Sequence, residues 1–286
     1  MEKKVSIILP TYNRAGIIKK SNKSKLVQTY PNLDLIIVDD KSNDDTPEVI
    51  NAIEDPRIKY IKLEKNIGGA GARNVGIQES NYEYVAFQDS DDIWYPNKLE
   101  LQMKELSELT DKYAMVYCSF KRDYGSVSII PSNKIKKTSG SVYSQLLRGN
   151  FISTQTILCK KEVLNKVKCF DEKLPAAQDW DLVLRIAKHY KIKHINKILV
   201  ELRISNDSIT KNKKNHFIAI QIIFNKIKDD LSYIELVRWK YLVGSLAYRI
   251  GLRDVALFYI SSSMNMYSKY GFAAILKYFQ IQIKNK

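Results

Sequence analysis

The stretch Val85-Ala-Phe-Gln-Asp-Ser-Asp-Asp-Ile-Trp94 decides the fold, because an apolar run stops there on three carboxylates, Asp89, Asp91 and Asp92. Clustered acids at the tip of a buried strand repel one another and lose solvation unless positive charge compensates them. A divalent cation would do so, and hard oxygen ligands suit Mg²⁺ or Mn²⁺. Taken alone, Asp-x-Asp-Asp fits a solvated acidic turn equally well. The choice between that turn and a metal-binding loop depends on the rest of the sequence.

Further strand patterns precede this stretch. Val5-Ser-Ile-Ile-Leu-Pro10 and Leu35-Ile-Ile-Val-Asp-Asp40 are nearly continuous apolar runs, as in parallel strands covered on both faces. Residues 58–63 alternate and predict a more exposed strand. Helical segments separate these strands, which predicts an α/β fold with a mostly parallel central sheet flanked by helices.

Polar clusters follow three of the predicted strands. They are Thr11-Tyr-Asn-Arg14, the pair Asp39 and Asp40, and the acids that begin at Asp89. In doubly wound sheets, ligands bind beyond the carboxyl ends of the strands. The sequence therefore predicts that these clusters converge on one binding edge.

The glycine-rich segment Gly68-Gly-Ala-Gly-Ala-Arg-Asn74 opens a predicted helix after the third strand. A dinucleotide-binding turn is expected after the first strand, which carries no glycine, so that function is disfavoured. A glycine-rich helix start can accept phosphate, with Arg73 as a fixed charge. Close packing of the helix on the sheet explains the small residues as well.

A second chemical candidate lies at Gln178-Asp-Trp-Asp181, where Asp179 and Asp181 fall in the first turn of a predicted helix. Acids in that position are favoured by the helix dipole alone. The segment is distant in sequence from the other acids, so a role for Asp179 depends on the wider pattern.

The bulk composition predicts a cytoplasmic globular protein. With 286 residues, 45% of them hydrophobic and 27% charged, the chain suffices for one large α/β domain and an appendage. Three cysteines without a C-x-x-C pair favour reduced thiols over a disulfide framework or a zinc site. The sequence shows neither the apolar core of a signal peptide nor a membrane-spanning segment, so we expect cytosol or a membrane surface.

The net charge of +15 is unevenly placed. From Lys211 to Lys286 there are 13 Lys and Arg against 4 Asp and Glu, a net charge of +9. This basic, helical region attracts anionic lipid or phosphate-bearing substrates, or it is simply a solvated surface. Its aromatic residues near helical spacing favour interhelical packing over a membrane-binding face. Because no nucleic-acid-reading pattern is present, nucleic acid is not expected as a partner.

Together these segments resemble the family-2 glycosyltransferases, which have the GT-A fold. The resemblance covers roughly residues 4 to 210, and predicts a transferase domain at 1–210 and a C-terminal helical extension at 211–286. The matching segments are Val5–Asn13, Gln28–Asp40, Ser42–Thr46, Asn66–Gly76, Asp89–Trp94, Gly149–Thr154, Phe170–Asp171 and Gln178–Leu182.

The resemblance implies a role for several of these residues. In the Asp-x-Asp motif, Asp91 becomes the direct ligand of Mn²⁺ or Mg²⁺, and Asp89 contacts the ribose or the waters of the metal. Asp92 and Asp207 are further candidate metal ligands. The nucleotide-binding residues would be Pro10, Tyr12, Asp40, Arg73 and Asp89.

The resemblance also implies an inverting single displacement in which Asp179 is the general base. It takes the proton of the acceptor hydroxyl while that oxygen attacks the anomeric carbon. Three neighbours belong to the same site: Trp180, Arg203 and Gln178, which replaces the family's usual glutamate. Ser205 stands where the family often has a histidine near the metal.

The implied function is transfer of a hexosyl or N-acetylhexosaminyl group from a nucleotide-sugar, with a UDP-sugar as the first expectation. The acceptor would be a glycan or a lipid-linked saccharide in surface polysaccharide synthesis, reached from the cytoplasm or from the inner face of the plasma membrane. A non-catalytic nucleotide- or glycan-binding relative is the alternative, favoured by Gln178 and Ser205. A sugar-phosphate nucleotidyltransferase is disfavoured, because the Arg-containing glycine loop of those enzymes is absent after Pro10.

Overall fold

The computed structural model describes residues 3–16, 18, 26–123, 127–202, 212–264 and 268–283. The chain divides into two compact units. The first comprises Met1–Glu172 and Asp179–Asn206, and the second comprises Lys173–Gln178 and Asp207–Lys286.

The first unit begins with four parallel strands in the order β3-β2-β1-β4. They are β1 (Val5–Thr11), β2 (Leu33–Asp39), β3 (Ile58–Lys62) and β4 (Tyr84–Phe87). Helices α1 (Thr46–Asn51) and α2 (Gly68–Glu79) connect them. Strands β1, β2 and β4 are almost entirely buried, whereas β3 is partly exposed, as the apolar patterns predict.

The remainder of the first unit completes a mixed sheet, which among the described residues has nine strands in all. Its later elements are β5 (Ile93–Trp94), α3 (Lys98–Glu108), β6 (Tyr113–Asp123), β7 (Val127–Ile130), α4 (Tyr143–Leu146), β8 (Ile157–Lys160), α5 (Lys161–Lys166), α6 (Gln178–His189) and β9 (Lys191–Leu202). Strand β8 lies antiparallel between β4 and β6, and β9 pairs parallel with β6. The expected α/β class is confirmed, while the parallel character is concentrated in the first half of the sheet.

One predicted strand is shorter than expected. We expected residues 151–158 to form a strand from their β-branched residues, but Thr154–Thr156 form a 3₁₀ turn and β8 begins at Ile157. The turn is stabilised locally, since the Thr156 hydroxyl donates to the carbonyl of Ser153 at 2.6 Å. Hydroxyl side chains that bond nearby backbone compete with strand pairing. The helix expected between β1 and Thr29 lies largely outside the described residues.

The first unit has apolar packing on both faces of its parallel strands. One face builds a large core from β1, β2 and the helix α3, in which Leu99, Met103 and Leu106 are buried as their spacing predicts. On the other face, α2 packs on β1 and β2, with Ala72 against Ile36 and Val38. Burial on both faces explains why these strands read as continuous apolar runs.

Helix α2 approaches the sheet very closely at Gly76. A β-carbon built there would lie 2.4 Å from Cγ2 of Ile8 in β1. At Gly71 an added β-carbon would lie 2.8 Å from the side chain of Ile67. Since such distances are far inside van der Waals contact, glycine is required for this packing, which was one explanation of the glycine-rich segment.

The second unit is helical in its described part. Its helices are α7 (Lys213–Ile227), α8 (Tyr233–Arg249), α9 (Arg253–Ser261) and α10 (Lys269–Ile283). A capping box between Ser232 and Glu235 begins α8. Aromatic packing joins α7 to α8, where the rings of Phe224 and Trp239 stack at 6.2 Å. In the described ranges, no helix is long and apolar enough to cross a membrane.

Candidate functional site

The loops that follow β1 and β2 are fastened to each other at the carboxyl edge of the sheet. The backbone N–H of Asn13 donates to the Ser42 hydroxyl at 2.9 Å, and that of Arg14 donates to the Thr46 hydroxyl at 2.8 Å. Asn13 and Lys41 both have positive φ, 50° and 67°. Non-glycine residues in this region are held by their surroundings, often at binding sites. The two loops thus form one pre-organised surface.

Pro10 and Tyr12 lie on this edge, at the end of β1. Pro10 is partly buried and pairs in register with Val38, while Tyr12 is 44% exposed. An exposed aromatic ring beside a fixed loop can stack against a nucleoside. The structure therefore leaves Tyr12 available for the role that the sequence predicts.

Asp40 is nearly buried and caps helix α2. Its two carboxylate oxygens accept the backbone N–H groups of Ile67 at 2.7 Å and Gly68 at 2.8 Å. Burial raises the pKa of Asp40, and these two hydrogen bonds act in the opposite direction. The expectation that the glycine-rich helix start accepts phosphate is wrong for these two amides, because Asp40 already engages them. Each oxygen of Asp40 retains a lone pair, so the carboxylate can still accept from a nucleobase.

The acidic loop after β4 holds three carboxylates in different environments. Asp89 is paired with Arg73 of α2 at 2.5 Å, with its side chain 31% exposed. Asp91 is partly exposed, whereas Asp92 is buried and accepts from the Nε2 amide of Gln155 at 2.7 Å. Asp89 and Asp91 are therefore the partly exposed acids of this loop, and Asp92 is the buried one that ties the loop to Gln155.

Beneath this loop lies a buried polar network. The Gln88 amide donates to the backbone carbonyl of Asp92 at 2.8 Å, and the Trp94 indole donates to the carbonyl of Gln155 at 3.1 Å. Lys98 is fully buried, with Nζ 3.7 Å from the centre of the Trp94 ring. These buried hydrogen bonds tie the acidic loop that carries Asp89 and Asp91 to the turn at Gln155.

Because Lys98 is buried, we expect the stability of the protein to change with pH in the alkaline range. Its ammonium donates to Oε1 of Gln102 at 2.7 Å, and burial lowers its pKa from 10.5 to about 8. The unfolded chain therefore binds more protons between these two values, so stability rises with pH across that interval. Relative to Lys98→Met, the free energy of unfolding of the wild type should rise there by up to about 3 kcal/mol.

Urea unfolding at a series of pH values measures this difference. Lys104→Met is the matched control, because Lys104 is an exposed lysine of the same helix α3. Equal pH dependence in the Lys98 and Lys104 variants would contradict the assignment of a buried, titrating Lys98.

Asp179 lies in the first turn of α6 and reaches the acidic loop despite its distance in sequence. Its carboxylate accepts the backbone N–H of Trp180 at 2.7 Å. Its pKa is raised to about 6, chiefly by burial and in smaller part by nearby Asp89, while the Trp180 N–H and nearby Arg73 act in the opposite direction. Asp179, Asp89 and Arg73 thus share one electrostatic environment. A carboxylate with a pKa just below neutrality is ionised at physiological pH and remains a useful proton acceptor.

Asn150 is a further candidate site residue, which the sequence patterns did not predict. Its side chain hydrogen bonds to the carboxyl of Asp179 and lowers the pKa of that group. Its Oδ1 accepts the backbone N–H of Ile152 at 3.1 Å, which leaves the amide NH₂ to face Asp179. Asn150 lies in the segment Gly149–Thr154, which resembles the family. A single polar residue there does not indicate a contact with Asp179.

The other residues expected around Asp179 have structural contacts. The indole of Trp180 donates to the carbonyl of Leu146 at 2.9 Å, and the Gln178 amide donates to the carbonyl of Leu174 at 2.9 Å. Both contacts fix the start of α6. Arg203 and Asp207, together with Ser205, lie outside the described residues, so their predicted roles stay predictions.

A metal ion fits this edge only if substrate supplies some of its ligands. Among the residues that the structure describes, no three His, Cys, Asp or Glu side chains form a metal-binding group. Mg²⁺ is commonly held by one or two carboxylates together with substrate phosphates and waters. Asp89 and Asp91, two partly exposed carboxylates, match that kind of site.

The mixed sheet with its flanking helices has the GT-A fold. Two solved structures support this fold. Residues 1–349 of S. aureus TarS, in complex with UDP-GlcNAc, match with a TM-score of 0.69 and 18% identity over 91% of this chain and 80% of that one. The mannosyltransferase PcManGT from Pyrobaculum calidifontis, in complex with GDP-Man and Mn²⁺, matches with a TM-score of 0.66 and 18% identity over 98% and 88%.

Residues 6–167 match Glycosyl transferase family 2, and the chain belongs to this family. It is 34% identical to the Escherichia coli UDP-Glc:alpha-D-GlcNAc-diphosphoundecaprenol beta-1,3-glucosyltransferase WfgD, over 73% of this chain and 80% of that protein. Three uncharacterized glycosyltransferases of Rickettsia also match, and this chain spans 31% to 40% of their length.

Proposed function

We propose that the protein is an inverting glycosyltransferase that moves a sugar from a UDP-sugar to a hydroxyl of a lipid-linked saccharide in surface polysaccharide synthesis. Residues 1–210 would perform the transfer, and residues 211–286 would form an appended basic region. The name of the E. coli relative, with UDP-Glc and a diphosphoundecaprenol-linked acceptor, supports the donor and acceptor classes. A cytoplasmic protein at the inner face of the membrane would have access to the UDP-sugar and to the lipid-linked acceptor.

The observation that carries the proposal is the meeting of Asp179 with Asp89 and Arg73. These residues come from α6, from the loop after β4 and from α2, and their charges influence one carboxyl group. An inverting displacement needs a base on one side of the sugar and a charged anchor for the diphosphate on the other. A carboxylate from a distant segment beside the Asp-x-Asp loop meets this requirement.

In the proposed reaction, Asp179 accepts the proton of the acceptor hydroxyl as its oxygen attacks the anomeric carbon, and the bond to the diphosphate breaks. Asn150 keeps the carboxylate oriented and ionised. Tyr12 and Asp40 would bind the nucleoside, and Arg73 would hold the nucleotide. Mg²⁺ or Mn²⁺ on Asp91 and Asp89 would neutralise the charge that develops on the departing diphosphate.

Release of UDP from a panel of UDP-sugars, with Mn²⁺ and a diphosphoundecaprenol-linked saccharide present, tests this function. Metal-dependent, acceptor-dependent release of UDP is the expected result. Donor binding without turnover of any sugar would instead identify the non-catalytic relative that was the alternative.

The pH dependence of transfer provides a separate prediction. Because Asp179 acts as a base, kcat/KM should fall as pH drops through about 6, the pKa of that group. Asn150→Ala removes a hydrogen bond that favours the ionised form, so the pKa should rise and the acidic limb should move about one unit toward higher pH.

Initial rates across the pH range, at several donor concentrations, measure this shift. Asn225→Ala is the control, because Asn225 is exposed on α7. A lower rate with an unmoved acidic limb would show that Asn150 acts only through the fold of its loop.

A further inference from the structure

Helix α10 has two apolar faces, of which one is exposed. Ala274 and Ile281 are buried against the second unit. Phe272, Leu276 and Phe279 are 56%, 59% and 58% exposed. Their spacing of four and three residues places them in one stripe along the helix. We call these three side chains the apolar stripe of α10.

Exposed apolar side chains are concentrated in the second unit. Of the thirteen large apolar side chains that are exposed in the described ranges, eight lie between Tyr233 and Phe279. Phe258 of α9 is 67% exposed. Isolated exposed apolar residues are ordinary, but a concentration of them marks a surface that binds a partner or a membrane.

The charged residues of α10 itself have a single sign, since Lys269 and Lys277 are accompanied by no acid. Between Val255 and Lys286 the sequence has four lysines and no aspartate or glutamate. Lys269 is exposed and lies seven residues before Leu276, and therefore on the same side of α10. An apolar stripe on a helix whose charged residues are all lysines fits an anionic membrane surface, where apolar side chains enter the headgroup region and lysines meet lipid phosphates.

We propose that the apolar stripe of α10, with Lys269 beside it, binds the surface of a membrane that contains anionic lipid. A second copy of the chain suits this face less well. In a two-fold contact between α10 helices the same patch faces itself, so lysines would oppose lysines, and α10 has no acid to pair with them. A bilayer with negative headgroups has no such conflict.

The benefit of membrane binding rests on the proposed function. A transferase that acts on a lipid-linked acceptor meets its substrate more often when it is held at the membrane. The binding itself requires neither donor nor acceptor, so it can be measured alone.

Co-sedimentation of the full chain with vesicles tests the proposal. The protein should sediment with vesicles of phosphatidylcholine and phosphatidylglycerol in equal parts, but not with phosphatidylcholine alone, and added salt should weaken binding. Phe272→Ser combined with Phe279→Ser should weaken it about tenfold. Lys269→Glu should weaken it about fivefold or more.

The matched control is Val127→Ser combined with Ile129→Ser. These two side chains of β7 are 67% and 52% exposed, so the control also removes two exposed apolar side chains, but in the first unit. The control should bind vesicles as the wild type does. Melting temperatures confirm that each variant is folded.

Several results would overturn the proposal. They are absence of vesicle binding, equal binding to neutral vesicles, and binding that the α10 variants do not weaken. Self-association of the wild type in sedimentation velocity, lost in the double α10 variant, would assign the stripe to a contact between copies. Release of UDP is measured separately, so membrane binding and transfer can each fail alone.

Discussion

Asp179→Asn should lower kcat for sugar transfer by about 10²- to 10⁴-fold, the usual contribution of a positioned general base. The amide cannot take the proton of the acceptor hydroxyl, although it occupies nearly the same volume. In the wild type the pKa of Asp179 is about 6, so the carboxylate is ionised at neutral pH and ready to accept a proton. UDP binding should change little, because the proposed nucleotide contacts are made by other side chains.

Two measurements separate these effects: UDP release during transfer, and calorimetric titration of UDP with Mn²⁺ present. Asp229→Asn, the same replacement at an exposed aspartate, is the control and should behave as the wild type. Normal turnover by Asp179→Asn would show that another group is the base. Loss of UDP binding in parallel with turnover would show that Asp179 serves the nucleotide instead.

Asp91→Asn should weaken metal-dependent donor binding and transfer by about 10²-fold, a loss typical of one missing electrostatic contact to developing charge. A neutral amide oxygen is a poorer ligand for Mg²⁺ or Mn²⁺ than a carboxylate. The difference between variant and wild type should shrink when the metal is removed with a chelator, because the lost contact acts through the metal.

Titration of UDP with and without Mn²⁺ measures this difference, again with Asp229→Asn as the control. Asp92→Asn gives a sharper comparison, since Asn can still accept the hydrogen bond from Gln155. If Asp92→Asn loses metal dependence while Asp91→Asn keeps it, the ligand has been assigned to the wrong carboxylate.

Much of the parallel half of the fold could be predicted, because each strand covered on both faces leaves a continuous apolar run in the sequence. The convergence of the acids on one edge followed from the same topology. The order of the later strands could not be predicted in this way. Strand β8 inserts between β4 and β6, and its four residues carry no pattern that reveals their neighbours.

The residues that support the site, Lys98 and Asn150, could not be predicted from the sequence. Lys98 stands on an amphipathic helix, where a lysine is normally exposed, yet its stem and ammonium are buried beside Trp94. Asn150 acts on Asp179 across 29 positions of the chain. Such contacts depend on tertiary packing, which periodicity and local propensity do not encode.

The close packing of α2 on the sheet affects the position of Arg73, the positive charge beside Asp89. Arg73 lies three residues before Gly76, and so about one turn away along the same helix. Glycine at position 76 lets α2 pack directly on Ile8 of β1, and this contact fixes the distance between the helix and the sheet. The backbone that carries the Arg73 guanidinium is therefore held in place as well. A residue without a side chain thereby helps to set where Arg73 meets Asp89, its partner in the ion pair.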